Sequence, residues 1–375
     1  MLRSWVFVAA LSLSVIVSFT SRRGDSETEN ASGGSIFSSS SITLDSSGSQ
    51  GVLLNQTHTN AFLQYDFYRD KCPEAQNVVW SAMKEILSQQ KNATAQLLRL
   101  LFHDCFIEGC DASVLLDDSN GNKNHSIERQ AIPNRTLKGY NFIDTIKEEL
   151  ENLCPGVVSC ADIIALATRD GIVLSGGPFY PVLTGRRDSN QSFYEMAMAG
   201  IPRPDGNITE TLRAHNIGKI GCEFIQPRLG NFLGTGQPDP SIPVDFLEEM
   251  RIHCHDMGNS SAQNGGSSSM RTRGMREFTM SMTYFQGLSS SISSGVGFDT
   301  HYYLSLLRGR GLLFADQQLM ANEMTAQVVM DYASDDGTIF RKDFARVMVK
   351  MSGLGVLTGS NGQVRLNCSM PVSSK

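Results

Sequence analysis

Eight cysteines restrict the fold of this chain more than any other feature, and they stand at Cys72, Cys105, Cys110, Cys154, Cys160, Cys222, Cys254 and Cys368. They follow an N-terminal segment in which Met1-Leu2-Arg3 precedes an apolar run from Trp5 to Phe19, a pattern typical of a secretory signal peptide. An even number of cysteines behind a signal peptide predicts four disulfides formed in an oxidising compartment. Buried free thiols are the alternative, and zinc is disfavoured because no two cysteines have the C-x₂-C spacing.

The N-terminal region divides into two segments before the folded part begins. We expect residues 1–20 to be a cleaved signal peptide, while Arg22-Arg23 leaves an uncleaved signal anchor open. Residues 21–60 are rich in Ser, Gly, Thr and Asn and are predicted to be disordered. Residues 61–375 should form one folded domain with a polar surface insertion at about residues 255–276. Nine N-x-S/T sequons agree with a secreted glycoprotein.

The charge distribution limits the classes of partner. The formal net charge is −6, and the sequence contains no block rich in Lys and Arg. This pattern argues against a nucleic-acid partner, and we expect no membrane partner once the signal peptide is removed.

Apolar residues recur at helical spacing along most of the chain. The predicted buried faces are Ala75, Val78, Val79, Ala82, Met83, Ile86 and Leu87 in a first helix, Phe142, Ile143, Ile146 and Leu150 in a second, residues 161–174 in a third, and Phe344, Val347, Met348 and Met351 in a fourth. Pro73 suits the first turn of the first helix, Ser159 should cap the third, and Gly176-Gly177-Pro178 should end it. Because strand-like alternation is scarce, we predict a mostly α-helical fold with long loops held by disulfides.

The most informative segment, residues 97–113, reads Leu-Leu-Arg-Leu-Leu-Phe-His-Asp-Cys-Phe-Ile-Glu-Gly-Cys-Asp-Ala-Ser. Arg99 and His103 are four residues apart, so a helix places them on one face. A guanidinium beside an imidazole in apolar surroundings is unusual for a core, but for an isolated Arg-x-x-x-His pattern a helix end with a hydrogen-bonded histidine is the favoured interpretation. The neighbouring residues change that balance. The oxygen atoms that follow are of the kind that calcium prefers, and they belong to the side chains of Asp104, Asp111 and Ser113 and the carbonyls of Ile107 and Gly109.

This segment closely resembles the distal motif of the class III haem peroxidases, the secretory plant peroxidases. Further matching motifs are Tyr68-x-x-x-Cys72-Pro73, Val158-Ser-Cys-Ala-Asp162, Gly176-Gly-Pro178, Gly185-Arg-Arg-Asp188, Gly311-Leu-Leu-Phe-Ala-Asp-Gln317 and Gly362-Gln-Val-Arg-Leu-Asn-Cys368. The resemblance extends from about residue 62 to residue 368. It implies a two-lobed all-helical fold with haem b between a distal lobe, where peroxide reacts, and a proximal lobe, which holds the iron.

The resemblance also selects a disulfide pattern, which cysteine counting could not do among 105 possible pairings. The implied pairs are Cys72–Cys154, Cys105–Cys110, Cys160–Cys368 and Cys222–Cys254.

On the distal side, the resemblance assigns roles to residues at the matching positions. Arg99, His103 and Asn134 are the implied catalytic residues, with Asn134 accepting a hydrogen bond from His103. The implied distal calcium ligands are Asp104, Ile107, Gly109, Asp111 and Ser113, and Glu128 would tie the Asn134 loop towards that ion. Haem contacts are expected from Phe102 and Phe224, and Pro202 would line the edge where small phenolic donors bind.

On the proximal side, His215 is the implied iron ligand, because it lies seven residues before Cys222. Asp316 would accept the other N–H of that imidazole and make it more electron-rich. The positions of the proximal calcium ligands are Asn216, Ser291, Ser294, Gly297 and Asp299. Ser291 replaces an aspartate of the family, and losing a carboxylate should weaken calcium binding.

The sequence departs from the family directly before His215. Only ten residues separate Pro204 from His215, so most of a family helix is missing, and Arg213 and Ala214 replace small residues. Either this gap reflects a faulty gene model or splice form, or the gap is real and the protein holds haem poorly.

Two functional hypotheses follow. The first is a secreted, monomeric haem peroxidase that reduces hydrogen peroxide and oxidises phenolic donors, located in the extracellular space or cell wall. The second is a catalytically weak relative that acts as an extracellular binding or structural protein.

Overall fold

The computed structural model describes residues 63–117, 127–201, 220–254, 281–282, 298–334 and 336–372. The predicted signal peptide, the segment 21–60 and the insertion at about 255–276 lie outside these residues. The helices are α1 (Ala75–Gln89), α2 (Ala93–Cys105), α3 (Tyr140–Leu153), α4 (Cys160–Leu174), α5 (Tyr194–Gly200), α6 (Cys222–Gly230), α7 (Val244–Cys254), α8 (His301–Leu307), α9 (Phe314–Gln317), α10 (Glu323–Ser334) and α11 (Thr338–Met351).

Strands contribute very little to the described part of the fold. β1 (Ile220–Gly221) pairs in antiparallel fashion with β2 (Ser281–Met282), with Ile220 opposite Met282. The prediction of a mostly α-helical fold is therefore confirmed, while the two-lobed arrangement around haem b stays a prediction. Within the described ranges, no helix has both the length and the apolar character needed to cross a membrane.

The helices predicted from apolar spacing form where the sequence places them. In α3 the residues Phe142, Ile143, Ile146 and Leu150 are all buried. α4 is buried along almost its whole length and packs against both α1 and α2. The Ser159 hydroxyl caps α4 by accepting a hydrogen bond from Asp162 N at 3.2 Å, as predicted. Pro73 lies in the turn before α1 rather than within its first helical turn.

The buried face of α11 differs in two residues from the predicted face, since Phe340 belongs to it and Val347 does not. Phe340, Phe344, Met348 and Met351 are buried, whereas Val347 is 46% exposed. Val347 lies at the edge of the stripe that the other four residues form, and this narrow stripe is enough to cover the core beneath it. Apolar spacing identified the helix correctly but overestimated the width of its buried face.

Four disulfides close the described parts of the chain, and they join Cys72 to Cys154, Cys105 to Cys110, Cys160 to Cys368 and Cys222 to Cys254. These are the pairs that the resemblance implies. The 5-residue separation of Cys105 and Cys110 tightens the loop after α2, and the 208-residue separation of Cys160 and Cys368 ties the C-terminal segment to the start of α4.

A buried polar network explains several motifs that carry no chemistry of their own. The Asp162 carboxylate accepts hydrogen bonds from Tyr68 Oη at 2.6 Å, Gly185 N at 2.6 Å and Arg186 Nη1 at 2.7 Å. A satisfied ion pair of this kind fixes the relative positions of three distant segments. The Tyr68, Asp162 and Arg186 motifs therefore have a structural role.

Candidate active site

Arg99 and His103 lie on the same face of α2, one helical turn apart. Leu97, Leu100 and Leu101 of α2 are buried in the main hydrophobic cluster and fix the rotation of the helix. His103 is itself buried, with 4% of its surface exposed, whereas Arg99 is exposed. The structure thus brings together the two side chains that the sequence singles out.

The orientation of the His103 ring is set by Asn134. His103 Nδ1 and Asn134 Oδ1 are 2.6 Å apart, and Asn134 Nδ2 donates to Glu128 O at 2.8 Å. Because the Asn134 amide donates to Glu128, its oxygen faces the ring and accepts the proton of Nδ1. This tautomer makes Nε2 the basic nitrogen of His103, as a proton acceptor requires. Asn134 stands in an N-x-S/T sequon but is buried. Its side chain therefore serves internal hydrogen bonds.

Arg99 is held by the same loop that holds His103. Arg99 Nη2 donates to Pro133 O at 3.0 Å and to Thr136 Oγ1 at 3.0 Å, and Nη1 donates to Thr136 O at 3.1 Å. Sequence reasoning missed the contact with Thr136, whose only signal was its place in the Asn134 sequon. A segment of four residues, 133–136, therefore contacts both Arg99 and His103.

Three buried acids lie behind this loop, namely Asp104, Asp111 and Glu128. Burial raises the pKa of Glu128 to about 8 and that of Asp111 to about 6, and it raises the pKa of Asp104 well above its usual value. Burial disfavours the charged form of a carboxylate, so a group of buried acids calls for a compensating cation.

Oxygen atoms with unused acceptor capacity point into this group. Among the described residues, Asp104 Oδ1, Ser113 Oγ and Glu128 Oε2 are buried and have no hydrogen-bond partner. The matching oxygens are satisfied, since Asp104 Oδ2 accepts from Ala112 N at 3.0 Å and Glu128 Oε1 accepts from Phe193 N at 3.0 Å. Leaving such atoms unpaired is unfavourable, and a hard cation would satisfy all three.

The donor set of this group suits calcium better than a transition metal. In the described ranges, no three His, Cys, Asp or Glu side chains are grouped as a metal site would need. Serine and backbone carbonyl oxygens lie beside the acids in the chain, and ligands of that kind are typical of calcium. The predicted carbonyls belong to Ile107 and Gly109, in a loop where Glu108, Gly109 and Ala112 have positive φ angles.

Arg365 supplies a positive charge beside the acids, although its only feature in the sequence is its place in the motif that ends at Cys368. It is fully buried, donates to Ala112 O at 2.6 Å through Nη2, and places Nε 3.8 Å from Asp188 Oδ2. Burial lowers the pKa of its guanidinium, and the nearby carboxylates oppose that effect. Arg365 thus joins the C-terminal segment to the loop 105–113.

Part of the predicted proximal site lies in the described residues. Asp316 is buried, and its carboxylate accepts hydrogen bonds from Tyr302 Oη at 3.1 Å and Leu313 N at 3.1 Å. Arg228 donates to Leu312 O at 2.8 Å and to Asp239 Oδ2 at 2.8 Å, which fixes the segment before Asp316. The predicted residues that lie outside the described ranges are Pro202, His215, Asn216, Ser291, Ser294 and Gly297.

Three further predicted site residues can be located. Asp299 accepts a hydrogen bond from His301 N at 3.0 Å at the start of α8 and also contacts the His301 ring. Phe102 is half-buried and stands edge-on to His103, with ring centroids 5.5 Å apart. Phe224 is 37% exposed on α6. Their roles towards calcium and haem stay predictions.

Comparisons with known proteins find relatives of one family. A family model described as "Peroxidase" matches residues 79–214 and 212–335, two segments that meet directly before His215. The protein named "Putative Peroxidase 48" of Arabidopsis thaliana is 39% identical over 337 residues, which cover 82% of each chain. Peroxidase 22 of the same plant is 36% identical, covering 84% of this chain and 89% of the relative, and Peroxidase 23 is 35% identical, covering 88% and 93%.

Proposed function

This chain belongs to the peroxidase family and is a peroxidase, and from that premise we propose that it reduces hydrogen peroxide and oxidises phenolic donors by one-electron steps. The observation that carries this proposal is the hydrogen bond between His103 Nδ1 and Asn134 Oδ1 beside Arg99. It leaves Nε2 as the ring nitrogen that can accept a proton, next to a permanent positive charge.

His103 would move the proton that peroxide must lose and regain. Its Nε2 accepts the proton from the inner oxygen of peroxide and returns it to the outer oxygen, which leaves as water. Asn134 keeps the Nδ1 proton in place during both steps, so the ring cannot switch tautomers. The His103 side chain is buried, and this limits competition from bulk water.

Arg99 would stabilise the negative charge that develops on the outer oxygen as the O–O bond breaks. A guanidinium keeps its charge at all working pH values and presents several N–H donors in a fixed plane. Electrostatic stabilisation of developing charge is often the largest single contribution to catalysis.

Haem b, when bound, would supply the iron that binds peroxide and would hold the oxidising equivalents taken from peroxide until the donors reduce it. The distal residues fit this cofactor, because Arg99 and His103 present a charge and a base on one face and Phe102 stands beside them. We propose His215 as the iron ligand, Asp316 as its hydrogen-bond partner, Phe224 as a further haem contact and Pro202 as part of the donor edge.

The test is to express the full chain in a secretory host, supply hemin and calcium, and record the absorption spectrum and the peroxide-dependent oxidation of a simple phenol. We expect a ferric haem Soret band and turnover that saturates with peroxide. A folded, disulfide-bonded protein with no Soret band would overturn the proposal.

The same experiment distinguishes this function from a second candidate, a catalytically weak relative that acts as an extracellular binding or structural protein. The family match favours this candidate at one point, because its two segments meet at residues 212–214, beside the shortened stretch between Pro204 and His215. Haem binding without turnover, or no haem binding at all, would favour the second candidate.

We also propose a calcium ion at the buried acids, held by Asp104, Asp111 and Ser113 and by the carbonyls of Ile107 and Gly109, with Glu128 close by. A proximal calcium at Asn216, Ser291, Ser294, Gly297 and Asp299 would bind more weakly for lack of a carboxylate at Ser291. The chain would act as a secreted glycoprotein monomer in the extracellular space or cell wall.

Chelation should therefore lower the stability of the protein. We expect EDTA to reduce the melting temperature by several degrees, because it would leave Asp104 Oδ1 and Ser113 Oγ buried and unpaired. Added calcium should restore the melting temperature in the wild type but much less in Asp111→Asn. Asp336→Asn, a change at an exposed aspartate, is the control. Equal calcium responses in all three proteins would contradict the site.

A further inference from the structure

We propose that Thr136 is a positioning residue for Arg99, and that the segment 133–136 sets the separation between the charge of Arg99 and the base of His103. This inference rests on the proposed peroxidase mechanism and adds a residue to it. It predicts that a substitution at Thr136 displaces the Arg99 guanidinium and leaves the His103 ring in place.

The contacts converge on the Arg99 guanidinium from three acceptors of one short segment. Pro133 O and Thr136 Oγ1 both accept from Nη2 at 3.0 Å, and Thr136 O accepts from Nη1 at 3.1 Å. An arginine fork with two nitrogens engaged has a defined plane as well as a defined position. Thr136 supplies two of the three acceptors, one of them through its side chain.

The same segment fixes His103 through a different residue. Asn134 lies between Pro133 and Thr136 and accepts from His103 Nδ1 at 2.6 Å. The segment is itself held, because Leu137 N donates to Asn134 O at 2.9 Å and Asn134 N donates to Ala131 O at 2.8 Å. Arg99 and His103 are therefore held by the same short segment, Arg99 through two backbone carbonyls and the Thr136 hydroxyl, and His103 through the Asn134 side chain.

Exposure decides what kind of role Thr136 can have. Thr136 is exposed, so water competes for its hydroxyl, and the hydroxyl adds little to the stability of the fold. Its effect should lie in where the guanidinium is placed. A misplaced charge weakens stabilisation of the leaving oxygen, while the proton transfer that depends on His103 is left unchanged.

The test compares Thr136→Val, which removes the hydroxyl, with Thr136→Ser, which keeps it. Lys138→Gln, at an exposed residue two positions further along the loop, is the matched control. The first readout is the rate at which phenylglyoxal modifies Arg99 in the full chain, followed by peptide mass spectrometry with and without hemin. The second is the second-order rate constant with hydrogen peroxide across a pH range.

In Thr136→Val we expect phenylglyoxal to modify Arg99 several-fold faster and the peroxide rate constant to fall about tenfold, in line with the loss of one charge-assisted hydrogen bond. The pH dependence of the rate constant should keep its wild-type shape, because Thr136→Val leaves the contact between His103 and Asn134 in place. Thr136→Ser should restore both quantities, and Lys138→Gln should match the wild type.

Equal Arg99 reactivity in the wild type and Thr136→Val would overturn the positioning role. So would a peroxide rate that falls equally in Thr136→Val and Thr136→Ser. If the wild type binds no hemin or shows no turnover, the proposed function fails, whereas the reactivity of Arg99 towards phenylglyoxal still decides whether Thr136 positions it.

Discussion

Replacing His103 with Leu is expected to slow the reaction with hydrogen peroxide by about 10²- to 10⁴-fold while haem stays bound. Leucine fills a similar volume in the buried site but offers no nitrogen to accept the peroxide proton. Arg99 keeps its contacts with Pro133 and Thr136, so its charge should still be in place. The measurement is stopped-flow absorption at the Soret band, with the second-order rate constant as the quantity compared.

The pH profile adds a check that separates loss of the base from general damage. If His103 is the proton acceptor, the pH dependence that it gives to the wild-type rate should be absent in His103→Leu. Glu108→Gln, at an exposed position on the loop that follows α2, should retain the wild-type profile. A rate constant for His103→Leu within a few-fold of the wild type would remove His103 from the proton-transfer role.

The sequence predicted those parts of the fold that depend on local periodicity. α1, α3 and α4 form where apolar residues recur at helical spacing, and Ser159 caps α4 as its position suggests. Such patterns work because one face of a helix must be buried whatever lies opposite. They cannot say what covers that face, and for this reason Val347 was wrongly assigned to the buried side of α11.

The disulfide pairs and the proposed catalytic residues were predicted from the family resemblance and not from local patterns. Spacing placed Arg99 and His103 on one helical face, but only the resemblance selected Asn134 as the partner of His103, and the structure places the two side chains together. Cysteine counting established how many disulfides to expect, and the family pattern chose the pairs. Both depend on contacts between distant residues, which no local rule determines.

Some contacts were predicted neither from local patterns nor from the family resemblance, and they join segments far apart in the chain. Thr136 meets Arg99 across 37 residues, and Arg365 meets Ala112 across 253. Neither residue stands out by type, since exposed threonines and motif arginines are common. Each matters because of its neighbour in the fold. Thr136 contacts Arg99 and Arg365 contacts the loop 105–113, and both belong to the proposed distal site.

The most severe effect on stability is expected at Gly109, where two backbone segments pass each other almost in contact. A Cβ atom at Gly109 would overlap with the Gly355 carbonyl group and lie 2.6 Å from Gly355 Cα. The φ angle of Gly109 is +140°, a conformation that side-chain-bearing residues rarely adopt. Cys110 N donates to Leu354 O at 2.9 Å, so the neighbouring segment cannot easily move away.

Gly109→Ala should therefore destabilise the calcium-loaded protein by about 3–5 kcal/mol, the sum of backbone strain and steric overlap. The midpoint of urea unfolding, followed by far-UV circular dichroism, measures this change. Calcium should also bind more weakly, because the Gly109 carbonyl is a proposed ligand and would be displaced.

Two further glycines separate strain from overlap. Gly176 has a φ of +84°, and a Cβ atom added there would meet no other atom within 4 Å. Gly176→Ala should therefore show the backbone strain alone, a loss of about 1 kcal/mol in the free energy of unfolding. Gly355 has a φ of +53°, which other residues tolerate better, yet its Cβ would lie 2.8 Å from Gly109 Cα. Gly355→Ala should thus approach the effect of Gly109→Ala. If both variants instead resembled Gly176→Ala, the contact between these segments would not be what holds the loop against the C-terminal part of the chain.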